Sequence, residues 1–208
     1  MTEPETEWFE TAKIGERRIE HVSKFLSNDF VVTKDFVAAK WSLWTPDERL
    51  SFASAFSARA ELKPSDHEVL DFLLEAGDQE IWRTIALSAA RHRDRDRARD
   101  FLLSRIAEGA KPLANYYQAL GMLLSCRECV PALRAAMAKH CQDVEAHPLL
   151  ETWDDRLTYL DYLACTAVLF KITGQAEYRA NLDRMLEHPD ESVRQMVRTV
   201  ANASDIAI

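Results

Sequence analysis

One spacing recurs along the 208-residue chain. Leu70 and Ile81, Leu102 and Leu113, and Leu182 and Val193 each stand 11 positions apart. Each leucine belongs to an apolar group at helical period, and each second residue opens another such group. Leu133 and Leu157 repeat the pair with the offset stretched to 24, which marks an insertion of 13 residues. A helix pair this short cannot bury its apolar stripe alone, so repetition forces the pairs to stack. The expected fold is all-α: a right-handed α-solenoid of about four helix pairs behind an N-terminal helical cap. The cap is expected over residues 1–64 and the repeats over 65–208, as one continuous domain.

The punctuation of the chain agrees with helices. Trp8, Ala12, Gly15, Ile19, Val22 and Leu26 form one stripe of a first helix. Thr45-Pro46-Asp47-Glu48 offers a capping residue, a proline for the first helical position and the glutamate of a capping box, with Leu50, Ala53, Phe56 and Ala60 facing inward. Ser65-Asp66-His67-Glu68 opens the first repeat in the same way. Gly77 suits a left-handed cap after Leu73 and Leu74, and Gly109 ends the next first-helix. In the second helices, the position eight beyond the first apolar residue holds Ala89, Gly121, Cys165 and Ala201. Small residues there allow close helix approach.

Net charge is −8 and the pI is near 5.3. General nucleic-acid binding needs clustered Lys and Arg, so it is not expected. The N-terminus is acidic and has no apolar core of a secretory signal, and no run approaches the ~18 apolar residues of a membrane span. The expected location is the cytoplasm, where the four cysteines would be thiols.

Asp190-Glu191-Ser192-Val193-Arg194 resembles the D-x-x-V-R opening of the second helix in HEAT-like (PBS-lyase-type) repeats. Asp78 to Arg83 and Asp154 to Leu157 are looser copies, and the second repeat lacks both Asp and Arg. The resemblance covers about residues 65–203 and implies a binding scaffold. A tetratricopeptide phase, from Ala114 through Leu120-Gly121 to Ala132, is the alternative.

Several constellations have a chemical and a structural reading. Cys126-Arg127-Glu128-Cys129 with His140 and Cys141 suggests zinc, but residues 129 to 141 span about 18 Å along one helix, too far for one ion. Arg91 to Asp100 alternates five Arg with three Asp and reads as a solvated turn with local ion pairs. The insertion, about 141–153, carries the strongest functional signal. From Cys141 to Asp161 the acids are Asp143, Glu145, Glu151, Asp154, Asp155 and Asp161, against Arg156 alone, a net of −5. Trp153, Tyr159 and Tyr162 accompany them. Aromatics supply contact area and acids supply steering, so a basic protein is the expected partner. The second candidate surface is a ladder on the outer side of the second helices: Arg83, Asn115, Gln118, Tyr159, Tyr162, Gln195 and Arg198. Asp161 aligns with the inward Ile85, Tyr117 and Val197, where a carboxylate requires a partner. An Arg of the next repeat is the expected one.

No Gly-rich loop, nucleophile elbow or metal motif stands in the chain. The expectation is therefore a non-catalytic protein-binding solenoid with no cofactor, no metal and no membrane or nucleic-acid partner. Its specific form is an immunity or inhibitor protein that neutralises a basic toxin enzyme. The alternative is an enzyme or chaperone on the same scaffold. HEAT-like DNA glycosylases hold a lesion against aromatics and an Asp, for which Trp82, Trp153, Tyr159 and Asp161 would serve, and bilin lyases form a further group.

Overall fold

The computed structural model describes residues 31–109, 111–123, 127–146 and 150–207. The stripe from Trp8 to Leu26 lies outside them. Among the described residues there are ten α-helices, one 3-10 turn and no strand. None of these helices is long and apolar enough to cross a membrane. The chain divides into two compact units, one ending at Ser88 and the other beginning at Ala89.

The first unit contains α1 (Lys34–Trp41), α2 (Pro46–Ser57), α3 (Pro64–Ala76) and α4 (Gln79–Ala89). Thr45 caps α2 as its sequence predicts: its hydroxyl accepts from the Glu48 N–H, and the Glu48 carboxylate accepts from the Thr45 N–H at 2.9 Å. Phe52, Ala53 and Phe56 are buried on α2, whereas Leu50 is half-buried and Ala60 lies beyond the helix end, exposed. Trp41 meets Phe72 of α3 edge-on with ring centroids 5.6 Å apart. Val69, Leu70, Leu73 and Leu74 of α3 and Ile81 and Ile85 of α4 complete an apolar core.

Two local expectations are corrected here. Helix α3 starts at Pro64, so Asp66 rather than Ser65 makes the cap, its carboxylate accepting from the Lys63 N–H at 2.9 Å. Gly77 has φ −74° and ψ 167°, extended rather than left-handed. Glycine is needed there for space: a Cβ would stand 2.6 Å from the Leu73 carbonyl oxygen and 2.8 Å from the Trp82 ring nitrogen. At Gly109 the left-handed cap is present, with φ 71°.

The second unit contains α5 (Arg95–Glu108), α6 (Ala114–Met122), a 3-10 turn (Arg127–Cys129), α7 (Val130–Ala146), α8 (Trp153–Thr173), α9 (Ala176–Leu186) and α10 (Glu191–Ala203). Successive helices pair as α5 with α6, α7 with α8 and α9 with α10. Helix α8 is the centre, packing on α6, α7, α9 and α10. The small-residue column is buried throughout, at Ala89, Gly121, Cys165 and Ala201. At Gly121 a Cβ would meet Val168 of α8 at 3.1 Å, so the glycine sets the approach of α6 to α8. Leu113 at the head of α6 meets Asp161, and Gly121 near its end meets Val168, so α6 and α8 run parallel.

The charged run from Arg91 to Asp100 forms local pairs as expected, but it is a turn only as far as Asp94: Arg95 to Asp100 open α5, and His92 is buried. Asp94 caps α5 by accepting from the Arg97 N–H, and Arg99 pairs with Asp96, Asp100 and Glu128. Cys129 is disulfide-bonded, which corrects the expectation of a thiol. Cys126 lies outside the described residues. Cys141 and Cys165 are free.

The first unit holds a buried ion pair whose removal should be costly. Asp66 is fully buried and its carboxylate takes the Arg59 guanidinium at 2.5 Å in addition to the Lys63 N–H. Replacing Asp66 by Ala removes the ion pair and the cap together, and should destabilise the unit by about 3 kcal/mol in urea denaturation. A loss below about 1 kcal/mol, the scale of an exposed pair, would show that the buried geometry contributes little.

Candidate functional site

Among its described residues the insertion is mostly helix. Val144 continues the stripe of Leu133, Met137 and His140, all buried, so α7 runs on to Ala146. Asp143 and Glu145 therefore sit on the last turns of α7, and Trp153, Asp154 and Asp155 form the first turn of α8. The expected insertion over 141–153 is thus helical at its start, through Ala146, and again at Trp153.

The acids of this region divide by role. Asp155 completes a capping box at α8: its carboxylate accepts from the Thr152 N–H at 2.7 Å, and the Thr152 hydroxyl accepts from the Asp155 N–H. Asp143 faces Lys111, with Nζ 3.9 Å from its carboxylate, and Lys111 also donates to the Thr158 hydroxyl at 2.7 Å. Glu145, Glu151 and Asp154 are exposed. Trp153 is 69% exposed, a large apolar side chain standing among them.

Tyr159 and Tyr162 are only 2% and 1% exposed, which corrects their place on an outer ladder. Tyr159 packs edge-on against His188, in the turn between α9 and α10. Tyr162 lies between α7 and α9, near Cys141 and Arg184, and burial raises its pKa. Because α8 is enclosed by four helices, its outer side in a two-helix picture is core. The rest of the ladder keeps polar surface. Asn115, Gln195 and Arg198 are exposed, and Arg83 and Gln118 are half-buried. Gln118 donates to the Ala203 carbonyl at 3.3 Å, and Arg198 pairs with Glu191 at 3.2 Å.

Asp161 is buried as its column predicts, but its partner is not an arginine. Its Oδ1 accepts from the Leu113 N–H at 2.7 Å, and the Ala114 N–H also bonds to the carboxylate. The carboxylate thus serves the head of α6, where the first N–H groups have no partner within the helix. Burial raises its pKa to about 6 despite these bonds. Oδ2 is buried and unbonded. Close by, the Tyr117 hydroxyl bonds His140 Nε2 at 2.8 Å, while His140 Nδ1 is buried and unbonded. Burial lowers the His140 pKa to about 4 and raises those of Tyr117 and Cys165. Cys165 donates to the Leu133 carbonyl at 3.4 Å. A protonated, buried thiol is a poor nucleophile, and this cluster is packed core rather than an open site. Tyr159 and Asp161 are equally inaccessible to an extruded base.

One surface feature was not legible as a site. Leu160 of α8 and Glu191, Ser192, Gln195, Met196 and Thr199 of α10 line an open cleft of about 400 Å3. Leu160 reads in sequence as core, yet it is half-buried, as is Leu157. The available signal was the step of Trp153, Leu157 and Leu160, an i, i+4, i+7 stripe that begins at an exposed tryptophan. Among the described residues no group of three or more His, Cys, Asp or Glu side chains could hold a metal ion. The D-x-x-V-R segment has a structural use: Asp190 caps α10 through the Ser192 N–H, and Arg194 donates to the carbonyls of His188 and Pro189. Compared with protein-family models, curated proteins and solved structures, the chain matches none of them.

The buried Asp161 and His140 should act on stability in opposite directions. Asp161 has an ordinary value of 3.8 and a folded value of about 6, so between these the folded chain binds the extra proton. Its contribution to stability therefore falls as pH rises through that window. His140 has an ordinary value of 6.5 and a folded value of about 4, so the unfolded chain binds the extra proton and its contribution rises with pH. Each amounts to about 3 kcal/mol, and the two nearly cancel. Asp161→Asn removes one of them. The stability of the variant minus that of the native chain should climb by about 2 to 3 kcal/mol from pH 4 to 6 in denaturant titrations. A flat difference would contradict the burial of the carboxylate.

Proposed function

We propose that this chain is a non-catalytic protein-binding scaffold, an α-solenoid of HEAT-like helix pairs that docks a basic protein through the start of α8. The observation that carries the reading is Trp153, 69% exposed on the first helical turn beside Glu151 and Asp154. Large aromatic side chains are the commonest binding anchors, and a surrounding acidic field speeds the encounter with a basic surface. The acids here are in excess of local needs, since Asp155 alone completes the cap of α8. The scaffold part of the reading is supported by the consecutive helix pairs, the buried small-residue column and the turn-binding role of Asp190 and Arg194. The specific form is an immunity or inhibitor protein acting on a toxin enzyme, because a small acidic scaffold with an exposed aromatic suits neutralisation of a basic catalytic domain.

Trp153→Ala tests the reading. The residue is exposed, so the melting temperature should stay within a few degrees, while affinity for the captured protein should fall at least about tenfold. For the immunity form, the chain is co-expressed with a toxic enzyme encoded beside it. Growth should be protected by the native chain and lost with the variant. Equal protection by both, or retention of no basic protein by the immobilised native chain, would end the reading.

A further inference from the structure

Resting on the docking role of Trp153, we infer that the surface continues into the cleft between α8 and α10, and that together they take an amphipathic helix with a basic end from the partner protein. Leu160, the α8 residue that lines the cleft, belongs to a straight row on that helix. Trp153, Leu157, Leu160 and Ala164 follow i, i+4, i+7, i+11, so they lie on one side of the helix. The row grades from 69% exposure at Trp153 through the half-buried leucines to 6% at Ala164. It is about 16 Å long, the length of three helical turns. Met196 of α10 adds a half-buried apolar side chain across from Leu160, and Ser192, Gln195 and Thr199 give the wall an uncharged polar lip.

Charge sets the polarity of the occupant. On the α10 side Glu191 is engaged by Arg194 and Arg198, so the wall carries no free acidic field. At the Trp153 end, Glu151 and Asp154 are exposed. An apolar side chain therefore fits the cleft, and Lys or Arg fits only the mouth. An apolar stripe of matching length on a helix satisfies the row without leaving backbone groups unbonded against it, as an extended segment would. Lysines in the last turn of that helix are also favoured by its own dipole, which directs its C-terminus to Trp153 and sets it antiparallel to α8.

The test uses a fluorescent synthetic helix of about four turns, with Leu at i, i+4, i+7 and i+11 and Lys in the last turn. A scrambled peptide of the same composition and a peptide with the Lys moved to the first turn serve as comparisons. Anisotropy should show the ordered peptide binding at least about tenfold more tightly than the scrambled one. Met196→Glu should weaken it about tenfold at low and high salt alike, and Thr199→Arg, at an exposed position, should do the same by filling the cleft. The double variant Glu151→Lys, Asp154→Lys should lose binding at low salt and differ little from the native chain at high salt. Equal binding of ordered and scrambled peptides, or unchanged binding after both cleft substitutions, overturns the proposal. The two readings fail separately. If a natural partner is released by Trp153→Ala but not by the cleft variants, docking at Trp153 stands and the cleft does not. If Trp153→Ala releases nothing, both fall.

Discussion

The carboxylate of Asp161 sits in the core of the second unit and accepts the Leu113 N–H at 2.7 Å. A charge there is costly, and its raised pKa records the cost. Its effect is to fasten the head of α6 to the middle of α8, supplying from another helix the acceptors that helix ends lack. Further along the same two helices, Gly121 lets α6 close on Val168. These two contacts fix the direction and the depth of α6 on α8. Helix α7 is then held to α8 through the Cys165 and Thr166 side chains, and α9 is held to α7 by Arg134, which reaches Tyr178 and Gln175.

A helix enclosed on so many sides has little surface left, and that scarcity singles out the surface proposed for docking. From Thr158 to Leu169 most of α8 is buried. What escapes is its first turn and the row leading from it toward Leu160. Tyr159 and Tyr162 stabilise the unit from inside, and Trp153, six and nine residues earlier, has no comparable packing. The same helix is thus the core of the unit along most of its length, and its exposed first turn carries the proposed docking site.

Much of the fold was legible because it depends on local chemistry. The capping box at Thr45 and Glu48 and the caps at Asp78 and Asp190 are properties of four or five adjacent residues. The small-residue column at Ala89, Gly121, Cys165 and Ala201 follows from helical period alone. The failures share one cause. Tyr159 and Tyr162 read as exposed in a picture of two helices per repeat, but what covers them comes from α7, α9 and the turn before α10. The column of Asp161 places it inside, yet its partner, a backbone amide 48 positions away, has no side-chain signature. The stretched offset between Leu133 and Leu157 marks an insertion but not its form, which Val144 sets by carrying the α7 stripe onward.

The central claim is that Asp161 binds the start of α6 into the core of its unit. Native-state hydrogen exchange at the Leu113 and Ala114 amides tests it most directly. If the claim is right, these two amides exchange as slowly as those of Leu163 to Leu169 in α8, opening only when the whole unit unfolds. Exchange at these amides orders of magnitude faster than in α8, by fraying of the α6 terminus, would contradict it.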